Sequence, residues 1–178
     1  MAISTCLQTF APIVFQNRII GSLEFNRNLS AYTNGFGDVA DEFWLGLKYI
    51  QEITNLPSDL RWEAVTTSGV SGNEVYGEFK LLGDTYTFSA SKPPMKAERN
   101  RITNDDLFNS LNLVPFRIDY DHLHMCVNDT NVDDLKAGWW YPVSKCEHKF
   151  FSLNGNGRLP GHDEIRLRST RMMVRREQ

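Results

Sequence analysis

His122, His124 and Cys126 alternate along the chain, so an extended backbone would turn all three toward one side. Zinc prefers four such ligands in tetrahedral array, and Cys146 or His148 would complete the set. The spacing matches no zinc-finger pattern. Trp139 and Trp140 offer rings that stack on a sugar or pack a core; neighbours in a strand face opposite ways, so one is expected in the core and one available. Arg166, Arg168, Arg171, Arg175 and Arg176 would suit an anionic partner such as a sulfated glycan, or form the outer face of a terminal strand. Signals for catalysis are thin. Gly69-Val70-Ser71-Gly72-Asn73 has Asn where a nucleophile elbow needs its second Gly. Gly35-Phe36-Gly37 and Gly155-Asn156-Gly157 lack the further Gly of a dinucleotide loop. The chain is therefore expected not to be an enzyme.

Composition sets the frame for these residues. The chain has 178 residues, 41% hydrophobic and 23% charged, which suits one globular domain with a real core. A net charge of −3 argues against a nucleic-acid partner. No apolar run is long enough for a spanning helix. Residues 1–15 have neither a basic start nor a clean apolar stretch and do not read as a secretory signal. The 3 cysteines are Cys6, Cys126 and Cys146; an odd count in a secreted chain leaves a thiol free, bonded to another chain, or parted from a missing partner. Asn28-Leu29-Ser30 and Asn128-Asp129-Thr130 are glycosylation sequons, used only if secreted and exposed.

The elements that would hold the candidate residues follow from periodicity. Residues 13–25 read as two short strands around a turn at Gly21-Ser22, and 28–37 as a loop. Asp38 to Thr54 is the main helix candidate, with Asp38 as cap and Phe43, Leu47 and Ile50 on one face. Leu60 to Val65 alternates as a strand, a turn follows at 68–73, and Val75 to Phe79 resumes. Gly83-Asp84 before Thr85–Phe88 signals a hairpin. Residues 92–161 are rich in Asn, Asp, Gly and Pro and read as a loop-rich lobe, and Glu164 to Arg175 as a closing strand.

Several of these stretches, in order, match one family. They are Phe15-Gln16-Asn17-Arg18 with Gly21-Ser22-Leu23-Glu24-Phe25, then Tyr32-Thr33-Asn34-Gly35-Phe36-Gly37-Asp38 with Glu42-Phe43-Trp44-Leu45-Gly46-Leu47. Ala137-Gly138-Trp139-Trp140-Tyr141, Cys146 and Leu153-Asn154-Gly155 follow, and Ser169 to Arg175 closes the chain. The chain resembles a shortened, divergent fibrinogen C-terminal (fibrinogen-related) domain. The resemblance spans about residues 13 to 176, with 1–12 as a divergent or truncated N-terminal segment and 13–178 as the domain. It implies an α+β fold with a twisted, mainly antiparallel sheet, one main helix and a loop-rich C-terminal lobe.

The resemblance also implies a function. Family members are extracellular, often calcium-stabilised, and recognise glycans, acetylated groups or proteins. Asp119 and Asp121 fall at the family's calcium loop, with Leu123 at its third carboxylate position; calcium needs six to eight oxygen ligands, and Asp129 or Asp133 would be substitutes. A disulfide would join Cys126 and Cys146, and Lys145–Cys146 matches a cis peptide that shapes the family's ligand pocket. Lys145, Cys146, His148 and one of Trp139 and Trp140 would line that pocket. Residues 156–164 contain no aromatic where the family completes the pocket wall, so a module that has lost its pocket is the alternative. The zinc and disulfide readings exclude each other, because a thiolate ligand cannot also be a disulfide sulfur.

Overall fold

A computed structural model describes residues 11–91, 102, 111–118, 137–141, 158–159 and 162–176. Its strands are β1 (Ile13–Arg18), β2 (Phe36–Gly37), β3 (Phe43–Trp44), β4 (Ser58–Thr66), β5 (Ser71–Tyr76), β6 (Lys80–Leu82), β7 (Thr87–Ser89), β8 (Arg158–Leu159) and β9 (His162–Arg176). Two short helices, α1 (Leu29–Asn34) and α2 (Leu47–Ile53), interrupt them. The main sheet is antiparallel in the order β2-β3-β1-β9-β4-β5, with β8 beside β9. β6 and β7 form a separate hairpin. The α+β, mainly antiparallel fold expected from the sequence is the one observed.

β4 shows why the sheet has two unlike faces. Its residues alternate between buried and half-buried from Ser58 to Thr66, which turns Leu60, Trp62 and Ala64 inward and Arg61, Glu63 and Val65 outward. The register carries this across the sheet: Trp44, Gln16, Met172, Trp62 and Glu74 form one inner row, and Phe43, Asn17, Arg171, Glu63 and Asn73 the next, outer-facing row. A register shift between Val14 and Gln16 makes a bulge at Phe15, so both Phe15 and Gln16 are buried in succession. The buried amide of Gln16 donates from Nε2 to Thr170 Oγ1 at 3.0 Å, tying β1 to β9 inside the core.

Several expectations change here. The helix expected over 38–54 is only Leu47–Ile53, because Phe43 and Trp44 are taken by pairing with Asn17 and Gln16, and Gly46 (φ 115) breaks the backbone before the helix. Asp38 caps a turn and not this helix: its Oδ1 accepts from Ala40 N at 2.9 Å. The stretch 28–37 holds helix α1, capped by Asn28, whose Oδ1 accepts from Ala31 N at 2.9 Å. The second strand expected beyond Gly21 is a coil around a side chain described below. The closing strand expected over 164–175 is β9, which lies between β1 and β4 in mid-sheet.

Candidate functional site

The sequence signature between Tyr32 and Leu47 organises two structural devices. The first is the carboxylate of Glu42, which is almost wholly buried, at 3% exposure. Its Oε1 accepts from the backbone N–H groups of Ile19, Ile20 and Gly21, each at 2.7 Å. Its Oε2 accepts from Ser22 Oγ at 2.9 Å and Leu23 N at 2.6 Å. Chain 19–23 thus wraps one anion, which consumes the amides a second strand would have needed. Burial alone would raise the pKa of Glu42, but the N–H groups of Leu23, Ile20, Gly21 and Ile19 outweigh it and hold the carboxyl at about 2. Arg18 balances the charge. Burial lowers its pKa while Glu42 acts the other way, and its Nη1 donates to Leu167 O (3.2 Å) and Arg168 O (3.1 Å). Gly37 has φ 87, and a Cβ there would run into the Glu42 carbonyl oxygen, so the turn that delivers Glu42 needs glycine.

The second device anchors residues 137–141. Tyr32, on α1, donates its hydroxyl proton to Phe25 O at 2.7 Å and accepts from Gly138 N at 2.9 Å. Arg117 and Trp139 exchange backbone hydrogen bonds of 2.8 and 2.9 Å, an isolated antiparallel bridge. Trp140 Nε1 donates to Tyr86 O at 2.7 Å, and Tyr141 Oη to Ala137 O at 2.6 Å. Rings close around the bridge: Trp140 meets Phe116 at 5.2 Å, Phe88 at 5.4 Å and Trp44 at 6.3 Å between centroids.

Both indoles are therefore core. Trp139 is 2% and Trp140 0% exposed, so the expectation that one would be available to a ligand is corrected. Alternation fails because the segment meets Arg117 in a single bridge and aromatic side chains close over it, so it has no solvent face. The remaining candidates, Asp119, Asp121, His122, His124, Cys126, Asn128, Lys145, Cys146 and His148, lie outside the described residues, as do Cys6 and Leu123. Among the described residues no group of His, Cys, Asp and Glu is arranged to hold a metal. Sequence reasoning quoted Glu42 and Tyr32 as parts of a motif and missed their work; the one available signal was a lone carboxylate set against Phe-Trp-Leu.

A Cβ on Gly138 would lie 2.7 Å from both Phe116 Cζ and Tyr32 Cε2, two buried rings with nowhere to retreat. Gly138→Ala is expected to destabilise by about 1–3 kcal/mol through overpacking. Urea melts of the two proteins test this; an unchanged midpoint would show that the platform yields.

This fold, with its two anchors, defines a fibrinogen-type globular domain. Residues 8–165 match the family of fibrinogen beta and gamma chains, C-terminal globular domain, and the chain belongs to that family. Human Ficolin-3 is 31% identical over 92% of this chain and 56% of its own length. Human angiopoietin-related protein 2 is 32% identical over 72% of this chain and 25% of its own. The chain thus spans about half or less of these relatives. Among solved structures, the fibrinogen-like globe domain of human ANGPTL2 superposes with a TM-score of 0.68 at 25% identity, covering 93% of this chain and 80% of that one.

Proposed function

We propose that this domain is an extracellular, non-enzymatic recognition module whose ligands are glycans, acetylated groups or protein partners. The observation that supports this is the Arg117–Trp139 bridge, which joins the starting points of both candidate loops. Asp119 follows Arg117 by two residues, about 7 Å of chain at most, and Lys145 follows Tyr141 by four, about 14 Å at most. The calcium candidates Asp119 and Asp121 and the ligand candidates Lys145, Cys146 and His148 thus spring from one rigid base. In this reading the buried Trp139 and Trp140 shape the floor and do not touch ligand. Two carboxylates suit calcium, which also accepts carbonyl and water oxygens, so Leu123 thins the set without removing its character. Calcium bound there would stiffen the loop. A Cys126–Cys146 disulfide would stiffen it further.

Binding of the folded protein to a panel of acetylated sugars, first with calcium and then with chelator, tests the proposal. Binding lost on chelation is the expected result. Binding that ignores chelator would overturn the calcium assignment and leave the recognition reading. Failure of every glycan would overturn the lectin-like reading and favour a protein-interaction domain without the pocket. Intact mass with and without reductant checks the disulfide: two free thiols and a stoichiometric zinc would replace it with the His122, His124 and Cys126 metal site.

A further inference from the structure

We propose that the outer face of the sheet carries a second binding site, separate from the loop site, that takes a sulfated glycan. A groove of about 510 Å³ crosses β1, β9, β4 and β5, with Asn17, Arg61, Glu63, Asn73, Ser169 and Arg171 among its lining. The register explains the grouping. Asn17, Arg171, Glu63 and Asn73 stand side by side in one row across four strands. Arg61 lies opposite Met173, so Arg171 and Arg175 are its diagonal neighbours on β9, about 7–8 Å away.

Charge points to the occupant. Among the described residues of these strands, Arg61, Arg171 and Arg175 outnumber Asp59 and Glu63 on this face, a cationic surplus on a chain whose net charge is −3. The ion pairs present are solvent-facing. Arg61 holds Glu63 at 2.7 Å with side-chain exposures of 42% and 35%, and Arg175 holds Asp59 at 3.2 Å. Such pairs are weak, so a sulfate can take the place of Glu63 on Arg61 at small cost. Arg171 meets Asn17 Oδ1 through Nε at 3.2 Å, which leaves its terminal nitrogens as a fork for an oxyanion. Asn17, whose amide also donates to Asp41 O at 2.7 Å, steadies Arg171, and the amide of Asn73 and the hydroxyl of Ser169 are donor–acceptor groups of the kind that meet sugar hydroxyls. No aromatic ring lines the groove among the described residues, so a neutral sugar finds no stacking surface and charge must supply the affinity.

Titration of the full chain with a heparin-derived oligosaccharide, and with the same oligosaccharide after desulfation, tests the inference. Salt-sensitive binding of the sulfated form alone is expected, undiminished by chelator and by acetylated sugars, which separates it from the loop site. Arg171→Gln should weaken it about tenfold, and Glu63→Gln, by releasing Arg61, should strengthen it several-fold, roughly three to ten. Both substitutions are on the solvent side, and thermal melts confirm folding. No binding by the parent protein, equal binding of the desulfated form, or the same affinity in both variants would overturn the site.

Discussion

Glu42→Gln is expected to cost about 3–5 kcal/mol of stability, a large share of the 5–15 kcal/mol typical of a folded domain. An amide in place of the carboxylate turns an NH2 group toward donors that now bond an oxygen: Ser22 Oγ and Leu23 N on one side, or three consecutive N–H groups on the other. It also removes the negative charge of Glu42 that favours the cation of Arg18, buried at 4% exposure. The pH dependence has a definite sign. The folded-state pKa, about 2, lies below the ordinary 4.5, so the contribution is fully present above about pH 4.5 and is lost as pH falls toward 2. That loss is about 3 kcal/mol if the whole shift is realised. Denaturant melts from pH 7 down to pH 2 should show parent and variant far apart at neutral pH and converging in acid. A constant gap across that range would mean that the variant fails for reasons of shape and not of charge.

Trp140→Ala is expected to cost about 3–5 kcal/mol as well, by a different route. The indole is fully buried among Trp44, Phe88, Phe116 and Trp139, so removing it leaves a cavity in the middle of the aromatic cluster. It also orphans Tyr86 O, which accepts from Nε1 at 2.7 Å. Trp140→Phe separates the two effects. It keeps much of the volume and should cost about 1–3 kcal/mol for the lost hydrogen bond and the residual void. If Trp140 instead served as a stacking surface for ligand, Trp140→Phe would weaken binding with stability intact. Paired melting and binding measurements on this one variant therefore decide between core and contact.

The strands that read most clearly in the sequence were those whose burial is local and alternating. β4 declares itself because each inward residue is apolar or small and each outward one polar or half-buried, whereas β5 starts inside the turn expected at 68–73 and turns the charged Glu74 inward. β9 was legible as a strand, but its place was not. The row of arginines read as the outer face of a closing strand, and pairing with both β1 and β4 puts that strand in mid-sheet, where Met172 and Val174 fill the inner face while Arg171 and Arg175 keep the outer one.

The sequence by itself determined the family, the sheet-rich fold and the motif from Tyr32 to Leu47, since those rest on residue type and short-range order. Tertiary structure decided what the motif is for. Phe43 carries an apolar pattern that suits a helix, but a helix here would pull the Glu42 carboxylate away from Ile19–Leu23 and Trp44 away from Gln16. Five hydrogen bonds to one buried anion, together with sheet pairing, outweigh a local preference worth about a kcal/mol or less per residue. Trp139 and Trp140 follow the same rule. Their types offered stacking or core, and the choice was made by Tyr32, Arg117 and Tyr86, which hold Gly138, Trp139 and Trp140 from 22 to 106 positions away in sequence and meet them only in the folded chain.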